Sequence, residues 1–195
     1  MKRLMFVILV ITVSVAVSAQ TSEKKYGIKS GIVESRISVF GIKTTVVTTF
    51  DDYGDKLSFQ MNEKGVRKRG YYLAELGKFI ISVDLNEKKV SMEKTSDDLN
   101  IRTLSDADKI KYRFKEEGTE LILGKECNKY SWNKDGEKFT VWMWEGISLK
   151  SVTRKNGLVI RMEATSIKEN QIIDPSVFEL PDFAVAEVEK YRVNN

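Results

Sequence analysis

Apolar and polar residues alternate with a period of two along most of the chain, the pattern of strands with one buried and one wetted face. Runs at 26–39 and 42–50 are rich in Thr, Val and Ile and join around Gly41. Asp51-Asp52-Tyr53-Gly54 turns the chain into a strand at 56–61, and Asn62-Glu63-Lys64-Gly65 leads to another at 67–73. Residues 78–84 are placed to pair with 90–94. The alternation breaks over 99–115, where Ser105 is placed to cap a helix with Asp108 three residues on, and Ala107, Ile110 and Phe114 share one face. Strands resume at 120–123, 126–132, 138–144, 147–153 and 158–167, and Asn156-Gly157 suits a tight hairpin. In the last of these, Leu158, Ile160, Met162 and Ala164 face one way, and Arg161, Glu163 and Thr165 the other. A strap at 173–181 tucks Phe178 and Leu180 against the sheet, and 185–195 reads as a frayed tail. The expected fold is mainly β with one or few helices.

The N-terminus carries a different pattern. Lys2 and Arg3 precede an apolar run from Leu4 to Val17, and Val17-Ser18-Ala19 puts small residues before Gln20. These features read as a cleavable secretory signal peptide over 1–19, with cleavage near Ala19. The competing reading is a retained anchor, but that run is shorter than the roughly 20 residues that span a bilayer. No Cys stands at 18–23, so lipid anchoring is not expected. The expectation is a periplasmic or secreted protein, soluble rather than membrane-spanning, with one domain over 20–195. Losing Lys2 and Arg3 would take the formal charge from +4 to +2, which implies no nucleic acid. Cys127 is the only cysteine, so no internal disulfide forms, and it reads as a buried, inert thiol.

Candidate chemistry is sparse. The chain has no His, which removes Ser-His-Asp and Cys-His nucleophile systems and His-ligated metals together. Paired carboxylates survive that exclusion. Asp51, Asp52 and Asp55, Asp97 with Asp98, and Asp106 with Asp108 all sit at turns or a helix start, where Asp caps the backbone. Asp51 to Asp55 lacks the spacing and closing Glu of a calcium loop. No catalytic residue, metal or cofactor is expected. Lys64, Arg67, Lys68 and Arg69 form a basic hairpin whose alternation splits it between two faces.

The most informative segment is Phe139-Thr140-Val141-Trp142-Met143-Trp144, with the two Trp on one face and Phe139, Val141 and Met143 on the other. A strand apolar on both faces is either sandwiched by core or lines a cavity. Tyr130 and Tyr71 stand among the aromatic residues able to extend such a surface. The candidate ligand-binding set is Phe59, Met61, Tyr72, Trp132, Trp142 and Trp144.

The segment Leu123-Gly124-Lys125-Glu126-Cys127-Asn128-Lys129-Tyr130, then Val141-Trp142, then Ile173-Asp174-Pro175-Ser176-Val177-Phe178-Glu179-Leu180-Pro181, resembles the LolA-like outer-membrane lipoprotein-carrier superfamily. Phe50-Asp51-Asp52-Tyr53-Gly54 is similar to a group of small secreted bacterial envelope proteins within it. The resemblance implies a strongly curved antiparallel sheet forming an unclosed half barrel with helical cover. It also implies a non-catalytic periplasmic or envelope role, holding a lipid or lipoprotein acyl chain in an apolar cavity. The alternative is a ligand-free interaction or sensor module that meets another envelope protein.

Overall fold

The computed structural model describes residues 24–63, 66–73, 76, 79–94, 101 and 104–193. The leader, Lys64, Asp97 and Asp98 lie outside the described residues. Eleven strands follow one another: β1 (Gly31–Val39), β2 (Ile42–Asp51), β3 (Lys56–Glu63), β4 (Val66–Leu73), β5 (Phe79–Asp84), β6 (Lys89–Lys94), β7 (Lys115–Ile122), β8 (Lys125–Lys134), β9 (Glu137–Trp144), β10 (Ile147–Lys155) and β11 (Leu158–Glu169). They form one antiparallel sheet in the order β6-β5-β4-β3-β2-β1-β11-β10-β9-β8-β7, not closed into a barrel. Two meanders therefore meet where β1 pairs with β11.

Tight hairpins make this meander possible. Asn156 (φ 47°) and Gly157 (φ 77°) both occupy the left-handed region, as a two-residue turn matched to the strand twist requires. The same X-Gly geometry recurs at Phe40-Gly41, Leu123-Gly124, Asp135-Gly136 and Glu145-Gly146.

The sheet is rolled, and two hydrogen bonds demonstrate it. The amide of Tyr26 donates to Tyr53 O and that of Gly27 to Glu145 O, each at 2.8 Å. Tyr53 lies between β2 and β3, and Glu145 between β9 and β10. A flat sheet would hold these turns four strand spacings apart, about 19 Å, whereas adjacent amides bring the two carbonyls within about 10 Å. Residues 26–30 are thus not strand, as the alternation implied, but a crossing segment over one end of the roll. Gly31 starts β1 in close quarters, since a Cβ there would lie 2.7 Å from Phe50 Cζ and 2.6 Å from Lys168 O.

Three apolar clusters hold the sheet. The main one draws residues from every strand but β6, including Ile37, Phe50, Leu57, Leu149, Ile160 and Met162. The second joins Tyr71, Ile81 and Val83 to Ala184 and Val188. These last two belong to a helix, α2 (Asp182–Val193), where the sequence reading placed a frayed tail. Ala184 and Val188, one helical turn apart, dock on the sheet residues that alternate with Tyr72 and Ile80. The strap reaches α2 through a 3-10 turn, Pro175–Phe178, capped by Asp174 Oδ1 accepting from Ser176 N at 2.9 Å. Phe178 is buried, and Leu180 packs with the second cluster.

Helix α1 (Asp106–Lys111) starts where expected, with Ser105 Oγ accepting from Asp108 N at 3.1 Å. Its expected apolar face does not form, because the helix stops after six residues and leaves Ile110 79% exposed. Leu104, Tyr112 and Phe114 pack instead, with Trp132 and Val141 in the third cluster.

Candidate ligand-binding face

The main cluster brings Phe59, Met61, Tyr72, Trp142 and Trp144 together. Alternation explains the first three. Leu57, Phe59 and Met61 point one way from β3, and Tyr72 opposite Leu57 joins them, while Ser58 and its partner Tyr71 point the other way. On β9 the same rule separates Trp142 and Trp144 from Val141. Both sides of β9 are therefore packed, with Trp142 7% and Val141 1% exposed. Trp132 lies apart from the other candidates, in the third cluster, with its ring stacked on Phe139 at 5.2 Å and 9°.

Polar groups frame the two clustered tryptophans. Trp142 Nε1 donates to Glu120 Oε2 at 2.6 Å, and Lys150 Nζ donates to the other carboxylate oxygen at 2.8 Å. The same Lys150 Nζ lies 4.4 Å from the Trp142 ring centroid, and Lys129 Nζ 5.2 Å. Lys129 pairs with Glu117 at 2.8 Å, and Glu117 also accepts from Ser131 Oγ at 2.6 Å. Lys125 covers Trp144 at 4.4 Å and pairs with Glu169. Hydrogen bonds from Lys150 hold the Glu120 carboxyl below its usual range, and those from Lys129 do the same for Glu117. Each lysine is thus fixed by a carboxylate while its ammonium lies on an indole face, a favourable cation–π arrangement.

A second polar feature lies just before the crossing segment. The Lys25 side chain is half-buried along its stem, yet its Nζ is shielded from water and has no hydrogen-bond partner. It lies 4.3 Å from the Tyr72 ring centroid and 5.7 Å from that of Tyr26. Burial lowers its pKa to about 7, against a smaller raising effect of Asp55. Burial also pushes the Tyr72 phenol up to about 12 and raises Tyr26 further still. Tyr26 meets Phe50 edge-on at 5.0 Å and 81°, which ties the segment to the main cluster. Nothing in the sequence around Lys24 and Lys25 marked this residue, because its environment comes from turns remote in the chain.

Cys127 is fully buried, and burial raises its thiol pKa, which disfavours the thiolate. Asp51 Oδ1 accepts from Asp52 N at 2.8 Å, the backbone-capping use expected at that turn. Among the described residues, no three His, Cys, Asp or Glu side chains converge as metal ligands would.

With one rolled, unclosed antiparallel sheet carrying two helices among the described residues, the architecture matches the expected half barrel. No protein-family model matches the chain, and no curated protein matches it. Solved structures do. The MucA/MucB complex of Pseudomonas aeruginosa is matched with a TM-score of 0.54 and 12% identity, over 83% of this chain and 58% of that one. MucB in complex with MucA(peri) gives 0.52 and 13%, over 79% and 55%. An uncharacterized conserved protein from Thermus thermophilus gives 0.55 and 8%, over 83% and 91%. The chain spans a little over half the length of the MucB chains it matches. No helix among the described residues is long and apolar enough to cross a membrane.

Proposed function

We propose that the chain is a non-catalytic cell-envelope binding protein that holds a lipid or lipoprotein acyl chain against the main apolar cluster. Half-buried Trp144 supplies the accessible contact, the buried Phe59, Met61, Tyr72 and Trp142 take the chain as the cluster opens around it, and the leader directs the protein to the periplasm or out of the cell. The observation that carries this reading is the main cluster itself, which ten of the eleven strands feed across the roll. Binding rests on apolar burial, about 25 cal/mol per Å² removed from water, with no covalent step. Trp144 is the reporter of choice, being half-buried within that cluster. Acyl ligands are expected to shift the tryptophan emission, and Trp144→Ala to weaken binding at least about tenfold. Emission that ignores saturating acyl ligands contradicts the reading.

A specific observation favours a second reading, in which the partner is another envelope protein. Strand β7 ends the sheet, and its residues from Lys115 to Leu121 are all exposed. An unpaired strand edge accepts a partner strand. MucB, with a similar fold, was solved in complex with MucA. Crosslinking from positions on β7 in the native compartment is expected to capture such a partner, and uniformly uncrosslinked β7 variants count against it.

A further inference from the structure

Among the described residues, Lys25 carries the only side-chain nitrogen that is shielded from water with no hydrogen-bond partner. A buried ammonium is costly unless paired. The faces of Tyr72 and Tyr26 offset part of that cost. Asp55 acts on it electrostatically but makes no hydrogen bond to it. The pairing capacity of Lys25 is therefore left open.

Its position gives that capacity a direction. Tyr26 and Tyr72 both pack with the main cluster, Tyr72 within it and Tyr26 against it. The crossing segment that follows Lys25 lies over the end of the roll, bonded to Tyr53 on one side and Glu145 on the other. The stem of Lys25 passes close over Gly54, where a Cβ would lie 3.1 Å from Lys25 Cδ. A single basic group therefore borders the large apolar cluster, and this is the complement of an amphiphile with an anionic end.

We propose that Lys25 receives the oxyanion head group, carboxylate or phosphate, of an amphiphile whose aliphatic chain lies on the main cluster. This rests on the acyl-binding reading above and names its ligand class. An arriving oxyanion supplies the hydrogen-bond acceptor that Lys25 lacks and keeps the amine protonated. A neutral head group of the same chain length does neither.

The test uses delipidated protein and displacement of a fluorescent acyl probe by laurate, dodecyl phosphate and 1-dodecanol. The wild type is expected to bind laurate or dodecyl phosphate at least about tenfold more tightly than 1-dodecanol, and the preferred anion identifies the head group. Lys25→Met brings all three within about threefold, and Lys25→Arg keeps the preference. Thermal unfolding checks the Met variant, which replaces an unpaired buried amine with an apolar chain of similar length and is expected to unfold no lower than the wild type. If Lys25→Met keeps the anion preference, or the wild type binds all three alike, the head-group assignment falls and acyl binding stands. If the wild type binds none of them, acyl binding itself falls.

Discussion

Lys25 makes the stability of the protein depend on pH in an unusual direction. A lysine whose pKa falls from 10.5 to about 7 on folding disfavours the folded state wherever the unfolded chain still holds the proton. Its contribution to stability is complete above 10.5 and is lost as pH falls from there to about 7. The groups facing it, Tyr26 and Tyr72, act oppositely. Their phenols are raised above 10.0, so their contribution is present below that pH and is lost as pH rises through about 12 for Tyr72. Asp55, the remaining charge, favours protonated Lys25 and softens the first effect. The melting temperature is therefore expected to climb from pH 7 towards pH 10 and then fall, with Lys25→Met flattening the climb. A melting temperature that drops steadily over that interval contradicts the placement of Lys25. Tyr71 gives a second test at this scale. Its hydroxyl is buried without a partner beside Ser58, whose hydroxyl is likewise unpaired. Tyr71→Phe is expected to leave chemical stability unchanged or raise it by about 1 kcal/mol, because no hydrogen bond is lost. A loss of that size contradicts the unpaired hydroxyl.

At the scale of elements, α2 shows where the alternation ran out. Its sequence, Asp182 to Val193, places Ala184, Val188 and Tyr191 at helical spacing, but Val185 and Ala186 stand beside that face, with Val185 40% exposed, and blur the amphipathic stripe. The helix is held by what it meets, since Tyr71, Ile81 and Val83 form a second apolar face on β4 and β5. Ending the chain before Asp182 is expected to cost at least about 3 kcal/mol in urea unfolding, by baring that face. Truncation without effect would mean that α2 is dispensable. Strands, by contrast, were mostly legible, apart from 26–30 and the first half of β7. Leu158 to Ala164 alternated as read, with Ile160, Met162 and Ala164 buried and Arg161, Glu163 and Thr165 exposed. Glu120 gives the element-level test for the tryptophan strand. Glu120→Ala should lower the melting temperature more than Glu120→Gln, because Gln keeps an acceptor for the Trp142 indole. Equal losses would assign the whole effect to the Lys150 ion pair.

For the whole molecule, strand order and the roll decide which residues meet. Alternation assigns each side chain to a face of its own strand, but only the β1–β11 pairing joins the two meanders. The crossing segment then reveals the roll. Five of the six aromatic and Met candidates could therefore be collected by type, while Trp132 went to the third cluster because its alternation follows Phe139 across the β8–β9 pair. Lys25 was illegible for the same reason, as its neighbours beyond Tyr26 are Gly54, Asp55 and Tyr72, remote in the chain and part of no local motif. The central claim is that this rolled sheet carries an acyl ligand, and native mass spectrometry of protein made in an exporting host tests it most directly. The account predicts a mature chain beginning near Gln20 that carries the added mass of an acyl-containing molecule, released on activation in the gas phase. Bare protein under conditions that preserve known lipid complexes would contradict it.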